Sequence, residues 1–264
     1  MNGILIAVAL VAGIGLIAAI GLVLAARFMK VPVDEKAAAI EKMLPGANCG
    51  GCGFSGCAGY ASAISKDGAP ANLCSVGGAE VTKEISAFLG IEAEITEKKT
   101  AVVLCNGRIG NAERSNDYIG ITSCKSVSAL FGGTGDCKFG CTGLGDCVKV
   151  CENDAIHVVD GVAVVDPKNC IACGKCVSVC PKHIIAIVPD SEKSLVLCSN
   201  PEPGANVRKV CKVGCIGCKM CEKACESEAI KVIDGRAQVD RSKCVACGKC
   251  LEACKIGCIY DFRK

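Results

Sequence analysis

Cysteine dominates the residues of this chain that could do chemistry: 25 among 264, beside two histidines and no tryptophan. The first group is Cys49-Gly-Gly-Cys52-Gly-Phe-Ser-Gly-Cys57, with Cys74 farther on. Its glycines permit the backbone angles that wrap a loop around an inorganic centre and aim amides at its sulfur. Thiols so spaced can pair as disulfides, hold zinc, or hold iron–sulfur clusters. Disulfides suit secreted domains, and the N-terminus reads as an anchor rather than a cleavable leader. A zinc-stapled scaffold with so many Cys-x-x-Cys units and no nearby His-x-x-x-His would be unusual. Iron–sulfur cubanes fit best: four thiolates occupy four irons and leave no open position for substrate. The implied role is storage and transfer of single electrons.

The second half repeats itself. Cys137, Cys141, Cys147 and Cys151 align without gaps on Cys211, Cys215, Cys221 and Cys225. Downstream, Ala155-Ile-His-Val-Val-Asp-Gly matches Ala229-Ile-Lys-Val-Ile-Asp-Gly, and each predicts a short β-hairpin turning at Asp-Gly. Each hairpin leads into a second run: Cys170, Cys173, Cys176, Cys180-Pro181, and Cys244, Cys247, Cys250, Cys254.

This pattern resembles the two-cluster bacterial ferredoxin, in which the fourth cysteine of each run crosses to the other cluster. The resemblance implies 4Fe–4S ligands Cys137, Cys141, Cys147 and Cys180 for one site, and Cys151, Cys170, Cys173 and Cys176 for another. In the second module it implies Cys215, Cys218, Cys221 and Cys254, then Cys225, Cys244, Cys247 and Cys250. Leu144 stands where the second module has Cys218, and Cys137 is the expected substitute. Proline follows the last cysteine only at Pro181. With the Cys49 site the total is five clusters. Cys105, Cys124, Cys198 and Cys211 either ligate a sixth that links the modules or pack as buried thiols; Cys258 has no assignment.

The elements that must position these residues give an α+β reading in four parts. Residues 1–30 form a transmembrane anchor, 31–95 a small helical four-cysteine domain, 96–197 a first ferredoxin-like module with its linker, and 198–264 a second. Ile4 to Ala26 is free of charge and proline, about 34 Å of helix. Arg27 and Lys30 follow it, and Pro32 ends the region, so the N-terminus is expected outside and everything after Arg27 in the cytoplasm. Gly13, Gly15, Ala19 and Gly21 make one flank small enough to pack on another membrane subunit. Short helices are expected over 34–44 and 79–89, the second stopped by Gly90.

Charge separates the two ends of the cluster-bearing region. Residues 207–264 hold 13 Lys/Arg and 7 Asp/Glu, whereas 131–206 hold 6 and 9. The surplus is either a docking face for an acidic partner near the C-terminus or a merely solvated basic face; no aromatic interleaving or polybasic run points to nucleic acid. Gly132-Gly-Thr-Gly135 precedes a cysteine run rather than a helix and reads as a turn. His157 and His183 have no carboxylate or nucleophile at telling spacing. No catalytic residue is expected on this chain.

The order of anchor, Cys49 motif and tandem ferredoxin modules resembles the B component (RnfB) of the Rnf complex, the ion-translocating ferredoxin:NAD oxidoreductase, in a long form with two modules. The Asn48-to-Cys57 segment is the most specific part. The resemblance implies electrons passing from reduced ferredoxin through the clusters toward membrane and NAD-reducing subunits, coupled to sodium or proton export across the cell membrane. The alternative is a membrane-anchored polyferredoxin adaptor that reduces a regulator or another enzyme.

Overall fold

The computed structural model describes residues 2–28, 34–94, 97–115, 118–192 and 194–261; Lys30, Pro32 and the expected boundary at 95–96 lie outside them. Helix α1 (Asn2–Phe28) is continuous, as its uncharged apolar run dictates, and Val11, Leu16 and Ile17 on it are exposed. Among the described residues no helix is long and apolar enough to cross a membrane.

Helices α2 (Glu35–Met43), α3 (Cys57–Asp67) and α4 (Gly78–Leu89) share a core of Ile40, Leu44, Tyr60, Ile64 and Ile85. Asp34 caps α2 by accepting from the amides of Lys36 and Ala37, and its other oxygen accepts from Ser65 Oγ of α3 at 2.7 Å. One side chain thus ties two helices, and the Ser65 hydrogen bond holds its carboxyl below the ordinary range. Gly90, at φ +66°, stops α4 in the left-handed conformation that favours glycine.

The first repeat contains β1 (Lys99–Val103), α5 (Cys124–Phe131), α6 (Asp146–Lys149), β2 (Ile156–Val159), β3 (Val162–Val165), α7 (Lys175–Val179) and β4 (Ile185–Pro189). The second contains β5 (Leu195–Val196), α8 (Gly204–Val210), α9 (Met220–Lys223), β6 (Ile230–Ile233), β7 (Arg236–Val239), α10 (Lys249–Ala253) and β8 (Ile259–Tyr260). Both hairpins, β2–β3 and β6–β7, form where the sequence indicates. Their turns have positive φ at both central residues, Asp160 and Gly161 at +50° and +74°, and Asp234 and Gly235 at +49° and +74°. The outer strands also pair antiparallel, β1 with β4 and β5 with β8.

Cysteines take the place of large aromatics inside. Cys147 and Cys170 pack with Ile156, Val162 and Ile184 in one core, and Cys198, Cys215, Cys221, Cys250 and Cys258 with Ile230 and Ile259 in the other. Glu192, buried after β4, meets Arg241 Nε at 3.3 Å, and Arg241 donates to the Ile187 carbonyl. That pair clamps one repeat to the other.

Candidate cluster-binding sites

Cys49, Cys52, Cys57 and Cys74 surround a hollow of about 320 Å³ with Leu44, Tyr60 and Val76. Asn48 Oδ1 accepts from the Cys57 amide at 2.8 Å, which folds the glycine loop back onto the start of α3. The Tyr60 hydroxyl donates to the Pro70 carbonyl and accepts from the Leu73 amide, fixing the stretch of chain that carries Cys74. The Gly77 amide donates to Cys74 Sγ at 3.3 Å.

In the first repeat Cys141, Cys147 and Cys180 share a hollow of about 340 Å³ with Ile184, and the fourth thiol there is Cys124. Cys137, the expected substitute for the residue lost at Leu144, lies elsewhere. The reason is local: Asp146 Oδ2 accepts from Ser123 Oγ and from the Lys125 amide, which pins the start of α5 beside Cys147. Cys151, Cys170, Cys173 and Cys176 form the other group, as their mutual electrostatic influence on Cys176 shows. Amides of Ala155 and Ala101 each donate at 3.4 Å, to Cys151 and to Cys170.

The second repeat gathers Cys215, Cys218, Cys221 and Cys254 around about 340 Å³, with Cys258 as a fifth thiol on the wall. A hydrogen bond from Cys258 is the main reason the Cys215 thiol drops to about 6, while Cys258 itself is raised. The Ile184 position of the first repeat corresponds to Cys258. Cys225 and Cys244 lie within electrostatic reach of Cys250, and Cys247, three residues before Cys250, is exposed.

Cys137 joins Cys105, Cys198 and Cys211 around the largest of these cysteine-lined hollows, about 540 Å³, between the repeats. Asn200, itself buried, donates to Cys137 Sγ at 3.6 Å. Cys105 Sγ accepts from the amides of Gly107 and Cys141, both at 3.4 Å. Three members of the expected linking set therefore meet here, with Cys137 standing where Cys124 was expected.

These groups fit 4Fe–4S centres by donor chemistry. All 25 thiols are free. Among the described residues no three Cys, His, Asp or Glu side chains converge closely enough to hold a single metal ion. Burial pushes Cys105 and Cys176 up to about 11 and Cys147 up to about 12, so their thiolates need a neighbouring positive charge. The irons of a bound cluster would supply it, and the amides aimed at sulfur would add to it.

Three family models match: an Fe-S cluster domain over 44–76, a 4Fe-4S dicluster domain over 136–184, and a 4Fe-4S binding domain over 237–260. The B component of the ion-translocating oxidoreductase complex of Methanosarcina acetivorans is 43% identical over 96% of this chain and 97% of its own. The B component of the Na(+)-translocating ferredoxin:NAD(+) oxidoreductase complex of Acetobacterium woodii is 39% identical, covering 98% of this chain and 78% of that one. Its proton-translocating counterpart in Clostridium ljungdahlii is 38% identical over 98% and 93%. With 4Fe–4S binding domains along a chain matched from end to end, this protein belongs to the RnfB family, the B components of the ion-translocating ferredoxin:NAD oxidoreductase (Rnf) complexes, as an electron-transfer subunit.

Proposed function

We propose that this chain relays electrons through six 4Fe–4S clusters in one line, from reduced ferredoxin to the membrane subunits of the complex. The order is supported by hydrogen bonds that run from one group to the next. The Cys225/Cys244/Cys247/Cys250 site is tied to the Cys215/Cys218/Cys221/Cys254 site within the second repeat. The Cys215 amide meets Cys198 Sγ, and the Cys141 amide meets Cys105 Sγ. The Cys105/Cys137/Cys198/Cys211 site thus bridges to Cys124/Cys141/Cys147/Cys180, and from there to Cys151/Cys170/Cys173/Cys176. Ser75 Oγ, next to Cys74, donates to the Ala172 carbonyl, next to Cys173, at 3.4 Å, and so brings in the Cys49 site.

In this reading α1 anchors the chain by a single crossing with its N-terminus outside, supported by the uncharged run from Ile4 to Ala26. The cluster-bearing parts, 31–95, 96–197 and 198–264, face the cytoplasm, the second repeat receives electrons from an acidic ferredoxin, and the Cys49 site hands them to membrane and NAD-reducing subunits. Passage onward is coupled to sodium or proton export by those subunits. The observation that carries the relay is the four-thiol hollow between the repeats, without which the two ends are disconnected. Anaerobic iron and sulfide analysis with an EPR-monitored titration tests it: about twenty-four irons per chain are expected, and about twenty would remove the bridging cluster.

A further inference from the structure

The two repeats carry the same strip of backbone in different surroundings. In the first, residues 171–175 are covered by the Cys49 domain. Ser75 Oγ donates to the Ala172 carbonyl at 3.4 Å, and Gly51 lies so near that a Cβ there would sit 3.4 Å from the Cys173 carbonyl. Lys175, paired with Glu152 at 2.5 Å, lies within electrostatic reach of both Cys173 and Cys49.

The corresponding strip of the second repeat, 245–249, keeps the local geometry. Ala172 and Ala246 both have φ +54°, and Lys249 pairs with Glu226 as Lys175 does with Glu152. Nothing in the chain's described residues covers it: Val245 is 70% exposed and Cys247 is exposed. Its rim also differs in charge. Pro167-Lys168-Asn169 of the first repeat becomes Arg241-Ser242-Lys243, a gain of one positive charge, and the Arg241 and Lys243 side chains stay exposed while each faces one carboxylate, Glu192 and Asp240. A neutral contact inside one chain needs no long-range attraction, whereas a partner that arrives by diffusion gains from it.

We propose that the strip Val245–Lys249, rimmed by Arg241 and Lys243, is the docking surface for a separate, acidic iron–sulfur protein, which sits there as the Cys49 domain sits on the first repeat. This deepens the relay reading and rests on it. The surface is centred on an apolar side chain; the rival docking site is made of three other cations of the same repeat's positive surplus, Lys212, Lys219 and Lys223.

The test uses the full, cluster-loaded chain and a reduced acidic two-cluster ferredoxin as probe, followed by stopped flow at low salt. Val245→Asp and Lys243→Glu each should lower the bimolecular reduction rate about tenfold, with iron content and reduction by dithionite unchanged. Added salt should narrow the gap between Lys243→Glu and the parent. Parent rates in both variants, with slowing in Lys212→Glu, Lys219→Glu and Lys223→Glu, overturn the proposed surface while leaving the relay intact. A parent chain reduced by dithionite but not by the ferredoxin overturns the donor reading as well.

Discussion

The two repeats differ most at their edges. In the first, β1 and β4 pair over five residues, Lys99 to Val103 against Pro189 to Ile185, and the strip beyond Ala172 is covered. In the second, β5 and β8 pair over two residues, and the equivalent strip is bare. One cysteine hollow also differs in origin, since Cys124 from α5 stands in the first repeat where Cys218 stands locally in the second. The lesson is that a duplicated unit can be placed inside a series or at its end by changes outside its cysteine runs.

The sharpest way to break this comparison is to cut between the units. Cys198→Ala should lower iron from about twenty-four to about twenty per chain and leave each repeat's own sites loaded. Ferredoxin-driven bleaching should then stop at the second repeat, read as lost amplitude at the remaining sites. A persistent full amplitude would show that electrons bypass the bridge. Next in size is the approach of each hairpin turn to a cluster loop. A Cβ on Gly143, at φ +75°, would collide with the Gly161 carbonyl, and one on Gly217, at φ +65°, would lie 2.8 Å from that of Gly235. Gly143→Ala should cost more than about 2 kcal/mol and Gly217→Ala somewhat less, compared by anaerobic thermal melts; equal losses would mean that both loops yield alike. Arg241→Ala, which strands the buried Glu192, should cost about 1–2 kcal/mol because the arginine is itself half exposed, and should loosen the repeats from each other, whereas Glu192→Gln should cost less. Smallest is Cys258→Ile, which gives the second repeat the residue of the first. Removing a donor to Cys215 disfavours the added electron, so the reduced-to-oxidised ratio of that site at fixed poise should fall about fivefold, measured by EPR.

Much of this was legible because the grouping of closely spaced cysteines and the hairpin turns are local. Cys170, Cys173 and Cys176 lie within one loop, and Asp160-Gly161 needs only its own backbone preference. The helix stop at Gly90 is of the same kind. The exchange of Cys124 and Cys137 was not legible: both precede a lysine and a cysteine run, and which hollow each enters depends on Asp146 and Asn200, distant or unremarkable in sequence. Likewise the apolar runs at Val102 and Leu195 suit strands, but their partners β4 and β8 lie more than sixty residues away, where periodicity is silent. The covered strip at Ala172 carried no signal at all, since its twin at Ala246 has almost the same local sequence.

The crossing of Cys180 and Cys254 has a consequence for how the protein matures. Each leaves its own cysteine run and lines the hollow of the neighbouring one. Under the proposed ligand assignment neither centre of a pair would close its coordination until the short helix between them, α7 or α10, had folded, since that helix starts from residues assigned to the other centre. Metal insertion within a repeat would then be a joint event, and underloaded preparations should be mixtures of empty and filled repeats rather than chains holding half of one.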